Sequence, residues 1–169
     1  MTLTATEREL AAVGISVASG CKPCTNYHVK AVREAGASEE EIKQAISDAL
    51  SVRVRATDIM RSHALVRLGQ EDQGHIPTMP RDTNRVTELV SMGAAFGANC
   101  ASSLKEHLAS AESIGISAAE IEELMTLAAF IKDRAASHVE RLVGMRDAED
   151  AAKVAAQYKA TFAVGDGAD

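Results

Sequence analysis

The run Cys21-Lys22-Pro23-Cys24-Thr25-Asn26-Tyr27-His28 sets two thiols and an imidazole within eight residues. Proline is tolerated in the first turn of a helix, so Pro23 marks a helix start. Both sulfurs then lie at or near a helix N-terminus, where unpaired amides and the helix dipole stabilise a thiolate. A free cysteine has a pKa of about 8.5, and such positions commonly lower it by a unit or more. His28 follows Cys24 by four residues and Cys21 by seven, which puts the three side chains on one helical face. An imidazole there takes a thiol proton and returns it to a leaving group. Glu9, twelve residues before Cys21, supplies a carboxylate that fixes the imidazole's tautomer and raises its basicity. Two thiols two residues apart can also close on each other. The chemistry this composition serves is thiol–disulfide exchange, with Cys21, Cys24, His28 and Glu9 as candidate catalytic residues.

Plainer readings compete at each position. Cys21, Cys24 and His28 supply three zinc ligands, but a closed structural site needs a fourth and the chain has no second Cys-x-x-Cys. The expectation is therefore no metal and no cofactor. His63, His75 and His138 have no matched partners and read as ordinary histidines. Arg53, Arg55, Arg61 and Arg67 read as a solvated helix surface. Tyr27 serves equally as a pocket wall or as packing.

The elements that position these groups come from a repeat. An offset of 79 residues sets Glu9 on Glu88, Cys21 on Cys100, His28 on His107, Gly36 on Gly115, Ser38 on Ser117 and Ile42 on Ile121. Gly20 becomes Asn99 and Cys24 becomes Ser103, so the second copy keeps one thiol of the pair. Glu88 and His107 read as structural vestiges. Each copy reads as three helices. The first spans about 6–18 and again 84–97. The second spans about 21–36 and 100–115, each ending on a glycine suited to a left-handed cap. The third opens on a capping box, Ser38 to Glu41 and Ser117 to Glu120, and runs for some 25 to 30 residues by its apolar spacing. The expected layout is a single all-α domain of two tandem three-helix units, 5–68 and 84–145. A linker over 69–81, carrying Pro77 and Pro80, joins them. A C-terminal helix and tail follow over 147–169.

Composition agrees. The 31 alanines against three Phe, two Tyr and no Trp favour closely approached helices and argue against strands. The net charge of −6, spread over both halves, opposes binding to nucleic acid or an anionic membrane. No apolar run approaches the roughly 20 residues of a membrane span, and the N-terminus lacks the basic region of a signal peptide. A soluble, cytoplasmic chain is expected, in which three cysteines are not a disulfide framework.

The signature Glu9…Cys21-x-x-Cys24-x-x-x-His28, followed by Gly36-Ala37-Ser38-Glu39-Glu40-Glu41-Ile42, resembles the carboxymuconolactone decarboxylase superfamily, and within it the alkylhydroperoxidase D-like branch. The likeness covers about 5–68 strongly and 84–145 as a degenerate second copy. It implies an all-helical homo-oligomer, with a trimer favoured and a hexamer possible. It also implies a redox-active dithiol that reduces hydroperoxides with electrons from a lipoyl- or thioredoxin-like donor. On that resemblance Glu9 and His28 form a proton relay, Cys24 attacks the peroxide and Cys21 resolves it. The dithiol sits here in the first copy, whereas alkylhydroperoxidase D carries it in the second. Two alternatives remain at this point: a lyase of the decarboxylase branch, which does not depend on a dithiol, and a non-enzymatic redox sensor.

Overall fold

The computed structural model describes residues 3–70 and 84–145, together with the isolated positions 153, 156, 157 and 160. Apart from those four positions, the linker over 71–81 and the C-terminal segment over 147–169 lie outside the described residues. The fold is all-α. In chain order the described helices are α1 (Ala5–Ala18), α2 (Lys22–Glu34), α3 (Glu39–Arg67), α4 (Arg85–Gly97), α5 (Ala101–Ser113) and α6 (Ala118–Leu142), with no strand among the described residues.

The caps fall where the residue types place them. Thr4 and Glu7 open α1, Ser38 and Glu41 open α3, and Ser117 and Glu120 open α6. In each pair the hydroxyl accepts an amide and the carboxylate returns to the cap backbone. Gly36 and Gly115 follow α2 and α5 with φ of +88° and +82°, a left-handed turn that favours glycine. The third helices reach 29 and 25 residues, within the expected range.

At the centre α1 packs on α4. Both helices are buried almost around their whole circumference beyond their starts, where their charged residues Glu7, Arg8, Glu9, Arg85 and Glu88 lie. Gly14 and Gly93 make the crossing close: a Cβ on Gly14 would sit 2.7 Å from Val90 Cγ1, and one on Gly93 would sit 2.7 Å from Ile15 Cγ1. The third helices flank this pair. Leu10, Val13 and Val90 meet Ile42, Ala45, Ala49 and Val52 of α3. Ile15, Leu89 and Met92 meet Leu124, Leu127, Ala128 and Ile131 of α6. Burial of each large side chain contributes about 1.5–3 kcal/mol.

Not all of the apolar spacing on the third helices is core. Leu50 and Met60 on α3 and Val139 and Leu142 on α6 are exposed. Polar ties complete the frame. Arg85 at the head of α4 bonds Glu7 Oε1 at 2.6 Å and also Glu120, joining the starts of α1, α4 and α6. No described helix is long and apolar enough to cross a membrane.

Candidate active site

The chain leaves α1 through Ser19 and Gly20, whose φ of +70° turns it sharply into Cys21. Arg53 reaches over from α3 and donates to the Ala18 and Val17 carbonyls at 2.7 and 3.2 Å, capping the end of α1. A solvated arginine surface on α3 is thus only part of the picture. Arg55, too, makes a two-pronged contact with Glu106 of α5 at 2.7 and 2.9 Å.

Cys21 is the N-cap of α2, and its Sγ accepts the Cys24 amide at 3.2 Å. Its backbone carbonyl receives both the Thr25 amide and the Thr25 hydroxyl at 2.9 Å. Cys21 and Cys24 are joined as a disulfide with their Cα atoms 5.3 Å apart. Both sulfur residues are buried, and both belong to the apolar cluster built largely from α1, α4 and α6. The head of α2 therefore rests against a helix of the second copy.

One turn further along α2, His28 Nδ1 lies 2.8 Å from Glu9 Oε2 of α1. His28 is only 4% exposed, so the pair is held away from bulk water where a carboxylate–imidazole contact is strongest. Tyr27 stands half-exposed beside it, its ring edge-on to the imidazole with centroids 5.0 Å apart. Partial burial, then the charges of Glu9 and Glu34, push the Tyr27 hydroxyl above its ordinary pKa, which keeps it protonated.

The spacing of the motif did not point to His138. Read from sequence as ordinary, this α6 residue has a ring nitrogen within 4.8 Å of each sulfur of the pair. Its Nδ1 contacts the Arg141 guanidinium. An arginine can only donate, so Nδ1 accepts and the ring proton resides on Nε2. Burial, then the charges of Arg141 and Arg134, hold the His138 pKa below its ordinary value, which favours the neutral ring. A signal for it exists in the sequence. The 79-residue offset sets Arg134 on Arg55 and Ala135 on Ala56, but His138 on Ile59.

Cys21, Cys24 and His138 could be read as three metal ligands once the disulfide is reduced. The surroundings of the imidazole do not suit a cation. A metal-bound histidine donates its other N–H to a carboxylate, carbonyl or water, whereas here that nitrogen faces a guanidinium donor.

In the second copy His107 Nδ1 lies 2.8 Å from Glu88 Oε2, and Ser110 donates to the other carboxylate oxygen at 2.8 Å. Cys100 caps α5 without a side-chain hydrogen bond to the helix and instead donates to Ser103 Oγ at 3.2 Å. Cys100 is a free, buried thiol.

Residues 2–57 match the family model of the carboxymuconolactone decarboxylase family, in the copy that holds the disulfide. No curated protein and no solved structure matches the chain.

Proposed function

We propose, from the premise that the first copy is a carboxymuconolactone decarboxylase family unit, that the chain is a thiol-dependent hydroperoxide reductase and dithiol–disulfide oxidoreductase of the alkylhydroperoxidase D-like type. The observation that carries this reading is the Cys21–Cys24 disulfide at the head of α2, with the Glu9–His28 pair one turn beyond it.

In the oxidative half-cycle the Cys24 thiolate attacks the outer oxygen of a hydroperoxide. The O–O bond breaks, the Cys24 sulfenic acid forms, and His28, backed by Glu9, supplies the proton that releases an alcohol. The Cys21 thiol then passes its proton to His28 and attacks the Cys24 sulfur as thiolate; the departing hydroxide takes that proton and leaves as water, closing the disulfide. The hydrogen bond from the Cys24 amide favours thiolate on Cys21, the role resolution requires. In the reductive half-cycle a dithiol donor of lipoyl or thioredoxin type attacks Cys24 and expels the Cys21 thiolate. The donor's second thiol closes its own disulfide, so two electrons and two protons pass to the protein.

A cytoplasmic setting suits a dithiol that must be re-reduced. A homo-oligomer, a trimer first, belongs to the same proposal. It is supported by Leu50, Val54, Met60 and Val66, which leave apolar surface exposed along α3.

The test is steady-state hydroperoxide reduction with dihydrolipoamide as donor, comparing the parent with Cys21→Ser, Cys24→Ser, His28→Ala and Glu9→Gln. Turnover in the parent and its loss in both cysteine variants is the expected result. Undiminished activity in both variants sinks the proposal, and a single oxidation without turnover turns it into the sensor reading.

A further inference from the structure

The degenerate copy contributes to the dithiol of the first. We infer that His138 of α6 is a neutral hydrogen-bond donor to the thiolate formed when the Cys21–Cys24 disulfide is reduced, with Arg141 positioning it. This rests on the proposed dithiol cycle, and it assigns a role to a residue outside the Glu-Cys-Cys-His signature.

Three independent observations converge. The first is place: a ring nitrogen of His138 lies within 4.8 Å of both sulfurs. The second is tautomer: the Arg141 guanidinium occupies Nδ1 as a donor, so the hydrogen is on Nε2, the nitrogen left to face another group. Arg141 also opposes a second proton on the ring, so the imidazole does not serve as a general acid through its cation. It donates a hydrogen bond without giving up the proton. The third is the comparison between copies. In the second copy, where Ser103 replaces one thiol, α5 packs mainly on α4, and the third helix that reaches it is α3, as α6 reaches α2. The α3 residue aligned with His138 is Ile59, inside a stretch where Arg55 and Ala56 match Arg134 and Ala135. By this alignment an imidazole belongs to the third helix that meets the dithiol, and an aliphatic side chain to the third helix of the other copy.

The chemistry is that of the reductive step. A donor thiolate attacks one sulfur of the pair, the S–S bond breaks with its electron pair on the other sulfur, and a mixed disulfide forms. The departing sulfur is a buried anion, and such a charge is costly without a partner. His138 Nε2–H supplies one, adding to the α2 amides, while Arg134 and Arg141 contribute positive potential. The donor's second thiol then resolves the mixed disulfide, leaving the donor oxidised and the pair reduced.

Stabilising the thiolate lowers the pair's apparent thiol pKa and makes its disulfide more oxidising. Several other charged groups on the elements around the pair are engaged elsewhere. Glu9 is with His28, Glu7 with Arg85 and Arg8 with Glu123, while Lys22 is exposed at the head of α2 and Glu140 lies on α6 beside Arg141.

The experiment equilibrates the full chain with dithiothreitol redox buffers and reads the Cys21–Cys24 state by thiol alkylation and mass spectrometry. The thiolate fraction of the reduced protein is titrated by ultraviolet absorbance. His138→Ile installs the side chain of the aligned position and preserves bulk, and His138→Gln preserves a donor. The expected result for His138→Ile is an equilibrium shifted about tenfold toward disulfide and an apparent thiol pKa about one unit higher, the size of one hydrogen bond to a charged acceptor. His138→Gln recovers most of both. Parental values in His138→Ile overturn the inference, as do equal losses in the Ile and Gln variants. Neither readout needs peroxide turnover, so failure of the peroxidase reading leaves this test intact. Absence of a Cys21–Cys24 disulfide in every buffer defeats both.

Discussion

The heads of α2 and α5 are the same turn built twice. Each follows a left-handed residue, Gly20 with φ +70° or Asn99 with φ +58°, and asparagine is among the few side chains that adopt that conformation readily. Each is steadied by a cation from the aligned position of a third helix: Arg53 on the end of α1, and Lys132 on Asn99 and over the Phe96 ring. Each precedes a Glu–His contact of 2.8 Å. They differ in what caps the helix. Cys21 accepts an amide and is bonded to Cys24, whereas Cys100 turns its hydrogen toward Ser103 and leaves α5 without a side-chain cap. The carboxylates differ as well. The Glu88 side chain is 4% exposed and carries an added hydrogen bond from Ser110, while Glu9 is 14% exposed and the residue aligned with Ser110 is Ala31. The Glu–His pair is therefore a framework that survives without redox chemistry. In the second copy the carboxylate is the more deeply buried partner, whereas in the first the imidazole is.

The cysteines separate the copies most sharply. Cys21→Ser or Cys24→Ser should reduce hydroperoxide turnover to background, while Cys100→Ser should leave it unchanged, as measured by peroxide consumption with a dithiol donor. Next is the imidazole pair. His28→Ala should cost about a hundredfold in turnover, as loss of a proton-transfer group does. His107→Ala should cost little in turnover but about 3 kcal/mol in stability, read by urea unfolding, because Glu88 is left buried with its partner removed. A loss of turnover in His107→Ala as large as in His28→Ala would erase the distinction.

Where the copies meet, they should respond alike. Gly14→Ala and Gly93→Ala each force a Cβ to 2.7 Å from a packed side chain, and each should lower stability by about 1–3 kcal/mol. The smallest effect concerns the aligned carboxylates Glu41 and Glu120. A hydrogen bond from Arg85, then those from Ser117, lower the Glu120 carboxyl from the ordinary 4.5 to about 2, while Glu41 is lowered by Ser38 alone. A depressed carboxylate adds stability that is complete above its unfolded pKa and fades as pH falls through the folded value. Arg85→Gln should therefore flatten the acid limb of the stability profile between about pH 4.5 and 2, with little change in the part due to Glu41.

Much of this was legible in the sequence because local chemistry dictates it. Ser38 with Glu41, and Ser117 with Glu120, could be read as capping boxes with no knowledge of the rest of the chain. Spacing along α2 placed Cys21, Cys24 and His28 together, and the repeated Glu–x11–Cys pattern brought Glu9 to them. His138 was not legible in that way. It lies more than a hundred residues from the dithiol, and only the docking of α6 on the head of α2 brings the two together. The same limit applies to Arg53 and Arg55. Helical spacing could not show that one caps α1 and the other grips α5. On the third helices, the apolar pattern could not separate the buried Ala49 and Ala128 from the exposed Leu50, Met60 and Val139, because spacing records a stripe but not where the neighbouring helix ends.

The most direct test is a single turnover of the fully reduced protein with one equivalent of hydroperoxide, followed by alkylation and peptide mass analysis. The expected product has lost two hydrogens, carries a Cys21–Cys24 bond and retains an alkylatable Cys100. Peroxide consumption that leaves Cys21 and Cys24 as free thiols, or that oxidises Cys100 in their place, would contradict it.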